Sequence, residues 1–162
     1  MNSEQVIRAV LEQVGPPTPL PSRTADYVVG QIMRARSMLS KLFPSPEDQI
    51  DEVYVELIRT SRLPRIRQWW VHDARLRSVS LDPVRDMPTI STLGLTSVSR
   101  VDLKVRWPSG TGKLTIRDLA GRPVTIRQTV PFQHCTPLDR GSLAPRVRRF
   151  LNLANILQAY VV

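Results

Sequence analysis

Few residues in this sequence have the types and spacing that catalysis requires. The segment 109–113, Ser-Gly-Thr-Gly-Lys, resembles a phosphate-binding loop, but Trp107 stands where that motif has its first glycine and Leu114 where it has a hydroxyl residue. The segment also joins two predicted strands, so no helix N-terminus follows it to receive a phosphate. We interpret it as the turn of a β-hairpin.

Thiol and imidazole groups are equally sparse. Cys135 follows His134 directly, and neighbouring side chains in an extended segment point to opposite faces, so the pair lacks the contact that nucleophilic catalysis needs. Cys135 with the distant His72 remains a pairing without a supporting motif. One cysteine and two histidines have no zinc-site spacing, and a single cysteine allows no internal disulfide. The sequence therefore predicts no catalytic residue, no metal and no cofactor.

Acidic residues concentrate in one stretch, which contains five acids and no base between Pro44 and Ile58. They are Glu47, Asp48, Asp51, Glu52 and Glu56. General acid–base catalysis needs two carboxylates in a cleft whose surroundings give them different pKa values. We predict a solvated helix here, which gives its carboxylates no such difference in surroundings.

Basic residues give the chain its most unusual feature. The 162 residues carry a formal net charge of +9, with 20 arginines and only 3 lysines. Six of the arginines lie between Arg59 and Arg77, beside Trp69 and Trp70, a combination that single-stranded RNA binding uses. A GC-rich coding sequence would give the same arginine excess, and either tryptophan would also serve as a core anchor.

The predicted polyanion-binding residues come from three segments: the arginine-rich stretch, the polar face of a strand meander, and the start of the last helix. They are Arg62, Arg65, Arg67, Trp69, Arg75, Arg77, Arg106, Arg117, Arg127, Arg146, Arg148 and Arg149. Arg100 and Lys104 share the polar face of the meander.

The N-terminal residues predict an arm. Apolar residues at helical spacing predict a helix over residues 3–14, and a proline-rich spacer follows it. Residues 1–21 are thus a predicted arm and linker, and residues 22–162 a single compact domain. We expect the arm to mediate oligomerisation in a neighbour's groove, with folding back onto its own body as the alternative. The residues concerned are Val6, Ile7, Val10, Leu11 and Val14.

The rest of the chain indicates an α+β fold. Helices over residues 22–43 and 46–61 are predicted to form an antiparallel hairpin, residues 63–81 fit either a helix or strands, and residues 82–97 indicate a loop. Alternating apolar and basic residues predict a small antiparallel β-meander over 100–107, 113–117 and 124–130. A C-terminal helix with Pro145 in its first turn is predicted to pack on that sheet, either central to the core or in a subunit interface.

These features favour a non-enzymatic, oligomerising basic protein that binds RNA or another polyanion through its phosphates, of the nucleocapsid, matrix or packaging type found in viruses and phages. The alternatives are an adaptor whose arginines pair with an acidic partner protein and, less favoured, an enzyme with an unidentified site. Expected partners are other copies of the chain, RNA or another polyanion, and an anionic membrane surface; no small-molecule substrate is inferred. Without a membrane-length apolar run or a signal-peptide pattern, the chain is expected to be soluble and intracellular, in the cytoplasm, the nucleus or a virion.

Overall fold

The structure, a computed structural model, describes residues 1, 3–14, 26, 30, 31, 34, 50–59, 64–81, 88–106, 111–129 and 145–161. Its fold is α+β, as predicted. The elements are α1 (Ser3–Val14), β1 (Glu52–Arg59), β2 (Pro64–His72), β3 (Arg75–Leu81), β4 (Thr89–Gly94), a 3-10 turn (Leu95–Ser97), β5 (Val98–Arg106), β6 (Thr111–Asp118), β7 (Pro123–Gln128) and α2 (Pro145–Ala159).

The first sheet has the strand order β1-β2-β3-β4, with all neighbours antiparallel. The loop between β2 and β3 contains only Asp73 and Ala74, since His72 pairs with Arg75. Both loop residues have positive φ values, of 50° and 51°, as a two-residue hairpin turn of type I′ requires. The sequence pattern of residues 63–81 fits either a helix or strands. The structure shows strands there, with β2 beginning at Pro64 and β3 ending at Leu81.

Two predicted elements are wrong. The acidic segment predicted as a helix over 46–61 is the strand β1 from Glu52 onward, and the loop predicted over 82–97 contains β4 and a 3-10 turn. The helix prediction for the β1 segment is wrong because all six residues from 52 to 57 are buried. A strand covered on both faces shows no alternation, and a short apolar run of this kind does not distinguish a strand from a helix.

The second sheet is the predicted meander, with strand order β5-β6-β7. Its inner face packs against α2, where Phe150 approaches β6 so closely that a Cβ added at Gly112 would lie 2.7 Å from the Phe150 ring. Glycine at position 112 therefore allows the helix to pack close to the sheet.

The buried apolar side chains form two clusters. In the first, Val6, Ala9 and Val10 of α1 pack on one face of the four-stranded sheet, against β1, β2 and β3. In the second, Phe150 and Leu153 of α2 are buried with residues from both sheets. The last helix is thus central to the core, the first of the two placements that its apolar circumference predicted.

The N-terminal helix folds back onto its own chain. Val6 and Val10, predicted to dock in a neighbour, are 6% and 3% exposed against β1, whereas Leu11 is 43% exposed. The buried amide of Gln13 also bonds to β1, donating to the carbonyl of Val53 at 3.1 Å and accepting from the amide of Val55 at 2.9 Å. The side chains of Ile7 and Val14 lie outside the described part of the structure.

Three further predictions fall largely outside the described residues. The proline-rich linker lies there entirely, as does the pair His134–Cys135. Of the helix predicted over 22–43, four positions are described, and all are helical: Asp26, Gly30, Gln31 and Arg34. The domain boundary at residue 21 remains a prediction.

Candidate polyanion-binding face

The outer face of the β5-β6-β7 sheet carries a dense group of cations. Strand alternation turns the apolar residues of β5 and β6 toward α2, so the intervening residues point outward. We call the outward cations the cationic face; all six are exposed, and they are Arg100, Lys104, Arg106, Lys113, Arg117 and Arg127.

The register of the strands places like charges opposite one another. Arg100 pairs across the sheet with Arg117, and Lys104 pairs with Lys113. Lys113 in turn pairs with Arg127 of β7, which makes a row of three cations across three strands. Side chains opposite each other in an antiparallel pair have Cβ atoms about 4.5–5.5 Å apart, and like charges there are destabilising.

Between the two cation rows lies a row of short polar side chains. Thr115 pairs with Asp102 on one side and with Thr125 on the other. Asp102 accepts a hydrogen bond from Nε of Arg100 at 2.9 Å. A depression of about 360 Å³ is lined by these residues and their neighbours, namely Arg100, Asp102, Lys104, Lys113, Thr115, Arg117, Pro123 and Thr125. Cations and hydroxyl donors around a depression provide a surface that can hold phosphate groups.

The turn between β6 and β7 borders this face and holds its strands in register. Asp118 accepts hydrogen bonds from the backbone N–H of Arg122 at 2.8 Å and from its Nε at 2.9 Å. The backbone hydrogen bond above all, followed by the side-chain bond and the guanidinium charge, lowers the pKa of the Asp118 carboxyl. Arg122 lies in the turn itself, outside the three strands, and is not one of the six cations of the cationic face.

Three predicted binding residues, Arg106, Arg117 and Arg127, do lie together on this face. Lys113 was missing from the predicted site. The signal for it was present, because Lys113 has the same alternation parity as Arg117.

The arginine-rich stretch does not form one surface. Arg65 and Arg67 lie on the face of β2 that carries Trp69, whereas Arg77 pairs with Trp70 and so lies on the opposite face. Arg75 shares the face of Arg77, at the β2–β3 turn. Arg62 lies outside the described residues.

Trp69 was predicted to stack on bases, but the structure buries it. Trp69 and Trp70 are 3% and 1% exposed, in agreement with the alternative that they anchor the core. The indole Nε1 of Trp69 donates to Glu56 at 2.7 Å, and the guanidinium carbon of Arg67 lies 5.4 Å from the centre of the Trp69 ring. Trp69 thus supports the packing between β1 and β2 and is not available to a ligand.

Arg146 is buried as well, within a polar cluster that joins the two sheets to α2. It donates to the carbonyl of Val55 at 3.2 Å. Burial lowers the pKa of Arg146 and raises the pKa values of Tyr54 and Glu56. Glu56 in turn accepts from the amide of Arg127 at 3.0 Å, so the cluster connects β1 to β7.

The other two arginines of the last helix face the N-terminal part of the chain. Arg149 donates to Glu52 at 3.0 Å and lies 3.8 Å from Glu12. Arg148 lies 3.9 Å from the same carboxylate of Glu12. Arg148 and Arg149 thus pair with carboxylates of α1 and β1, and neither lies on the β5-β6-β7 sheet.

The described ranges hold neither a metal-binding cluster nor a membrane-length helix. They contain no group of three or more His, Cys, Asp or Glu side chains that would hold a metal ion. No helix in that part of the chain is long and apolar enough to cross a membrane.

The fold and the cationic face define an α+β protein with an exposed, basic sheet surface. No protein family model, curated protein or solved structure matches this chain.

Proposed function

We propose that this protein is a non-enzymatic nucleic-acid-binding protein that holds the phosphate backbone of RNA on its cationic face. The observation that carries the proposal is the pair of like-charge rows, Arg100–Arg117 and Lys104–Lys113–Arg127, on an exposed sheet surface. Opposed cations destabilise the free protein, above all in the Lys104–Lys113–Arg127 row because Asp102 pairs with Arg100 in the other row, and a bound polyanion removes the repulsion. We also propose that this RNA binding serves a nucleocapsid or packaging role, inside a cell or a virion.

The spacing of the rows suits a ligand with repeated negative charges. Lys104 lies four residues along β5 from Arg100, which corresponds to about 13 Å between the two rows. The hydroxyls of Thr115 and Thr125 lie between the rows, where they can donate to phosphate oxygens. A single small anion occupies one row only, whereas a chain of phosphates reaches both.

The residue types on the face indicate binding without base recognition. The outward positions of β5, β6 and β7 that the structure describes contain no aromatic side chain. Base stacking is therefore absent from that surface, and phosphate contacts carry no sequence information. Two of the chain's three lysines lie on the face, so its charge is not a simple consequence of the arginine excess.

A charge reversal tests the proposal. Fluorescence anisotropy of a short labelled single-stranded RNA gives the affinity between about 50 and about 200 mM salt. Lys113→Glu is expected to weaken binding about tenfold at low salt and to lower the magnitude of the salt slope by about one. Arg8→Glu is the matched control, because Arg8 is exposed on α1 and the substitution changes the net charge equally.

The outcomes separate this proposal from its competitors. Absence of RNA binding by the unmodified chain at low salt would refute it, as would equal losses in the two variants. If the chain does not bind RNA but binds phosphatidylserine vesicles or an acidic peptide, the ligand of the cationic face is a membrane or an acidic protein. Single-stranded DNA and inorganic polyphosphate, used as further probes, show whether the sugar contributes.

A further inference from the structure

The strand β4 forms an outer edge of the four-stranded sheet and is unusually open. Its sequence is Thr-Ile-Ser-Thr-Leu-Gly, which contains no charged residue and no proline. Five of its six residues are exposed, including Ile90 at 45%. Natural proteins usually protect a sheet edge with charges, prolines, bulges or a covering segment, because free backbone groups there pair with other strands.

The opposite edge of the same sheet shows what such protection looks like. Along β1, Gln13 bonds to both Val53 and Val55, and Arg146 donates to the carbonyl of Val55. Farther along β1, the hydroxyl of Thr129 donates to the carbonyl of Leu57 at 3.1 Å. Side chains from three other parts of the chain thus form hydrogen bonds with backbone N–H and C=O groups along β1.

We propose that β4 pairs antiparallel with β4 of a second copy of this chain, forming a two-fold dimer with one continuous eight-stranded sheet. The register places Ser91 opposite itself across the two-fold axis. In each chain Ser91 already lies 2.7 Å, oxygen to oxygen, from Ser78 of β3. The pairing therefore extends this contact into a ladder of four serines across the dimer, and hydroxyl pairs of this kind stabilise neighbouring strands.

The strand itself favours a second copy over another partner. A two-fold axis at Ser91 places Ile90 opposite Thr92 and Thr89 opposite Leu93. Each pair joins a hydroxyl side chain to an aliphatic one, and the contact covers the exposed Ile90. Because β4 carries no charge, two chains of net charge +9 meet there without opposing like charges on the paired strands. An isologous contact of this type closes at two subunits.

Oligomeric mass tests this proposal directly. Sedimentation equilibrium of the full chain over a range of concentrations is expected to show a monomer–dimer equilibrium. Ser91→Lys places two lysines opposite each other at the axis and is expected to weaken the dimer about tenfold. Ser91→Thr keeps the hydroxyl and adds no charge, so it should retain the dimer. Circular dichroism confirms that both variants fold.

A cysteine placed at the axis tests the register. In a Cys135→Ser background, Ser91→Cys is expected to form a dimer-linking disulfide on mild oxidation, because opposite residues in paired strands lie close enough. Thr89→Cys is the control, since the proposed register separates the two copies of residue 89 by about 13 Å.

Each outcome decides the question. A monomer at every concentration overturns the proposal, and so does a dimer that Ser91→Lys leaves unchanged or in which the two cysteines link equally. A chain that stays monomeric and captures an extended acidic peptide at β4 would assign the edge to a different partner. None of these results depends on RNA binding, so the dimer and the proposed function stand or fall separately.

Discussion

The phenol of Tyr54 connects strands that belong to different sheets. Its hydroxyl oxygen lies 2.6 Å from Oε1 of Gln128 and 2.8 Å from the carbonyl oxygen of Arg127, both on β7. Its ring lies 5.4 Å from that of Phe150, centre to centre. One side chain of β1 thus contacts β7 and α2 together, and its burial raises the pKa of the phenol.

Tyr54→Phe should destabilise the protein near neutral pH by about 1–3 kcal/mol, because the partners of the hydroxyl lose a buried hydrogen bond. The folded-state pKa of Tyr54 is raised above its unfolded value of about 10. The stability contributed by the phenol is therefore full below about pH 10 and is lost as the pH rises beyond that value. We expect the difference in unfolding free energy between the native chain and Tyr54→Phe to shrink above about pH 10.

Urea unfolding at about pH 7 and about pH 11 measures both effects. Tyr160→Phe is the matched control, because Tyr160 is only partly buried. A difference that stays constant across this range would show that the Tyr54 phenol does not titrate differently in the folded chain.

At the level of single elements, the side chain of Gln13 acts as an extra partner for the edge strand β1. Its amide accepts from the N–H of Val55 and donates to the carbonyl of Val53, as a neighbouring strand would. It also contacts the carbonyl of Ala9 within α1 at 3.0 Å. The final turn of α1 is thereby fixed to β1 by polar bonds as well as by apolar packing.

Gln13→Ala leaves two buried backbone groups of β1 without a partner and is expected to lower the unfolding free energy by about 2–3 kcal/mol. Hydrogen exchange gives a local test, because the amide of Val55 should exchange faster in the variant. Gln158→Ala, at an exposed position of α2, should leave both quantities nearly unchanged. Unchanged protection at Val55 would rule out this role for Gln13.

The elements also show where sequence patterns were sufficient. Alternation along β5, β6 and β7 is regular because one face is apolar and the other is solvated, and the three strands were predicted. On β1 the carboxylates of Glu52 and Glu56 are buried, paired with Arg149 and Trp69 from other elements. Those partners are distant in sequence, so a buried acidic strand could not be distinguished from a solvated acidic helix.

Across the whole molecule, strand register decides which charges converge. In the arginine-rich stretch, His72 pairs with Arg75, so odd-numbered residues on the two sides of the turn face opposite ways. Arg67 and Arg77 are therefore separated by the sheet, although both are odd-numbered and ten positions apart. Between β6 and β7, Lys113 pairs with Arg127 and parity is kept, so cations accumulate on one face. Alternation along one strand predicts on which face of the sheet a residue lies. Only the register between strands shows which charged residues lie side by side.

The charge rows make a prediction about the free protein. Among the described residues, neither Lys104 nor Lys113 has an ion pair, and Lys113 has a cation on each side. Lys113→Thr removes both repulsions and places a β-branched residue in a strand, so we expect the variant to be more stable than the native chain by about 0.2–1 kcal/mol at low salt. The gain should shrink as salt increases, because the Debye length falls from about 30 Å at 0.01 M to about 8 Å at 0.15 M.

Thermal unfolding over this salt range tests the prediction, with Arg8→Thr as the control that removes one charge elsewhere. Arg8 lies 3.5 Å from Glu4, so its loss relieves no local repulsion and should not stabilise the chain. If both variants gain stability equally, net charge alone is responsible; if Lys113→Thr gains none, the rows are not repulsive. RNA should reverse the order of stability, because a ligand that binds only the folded state raises the unfolding temperature, and the native chain binds it more tightly. A variant that is more stable alone and less stable with RNA would show that the cationic face is maintained for its ligand.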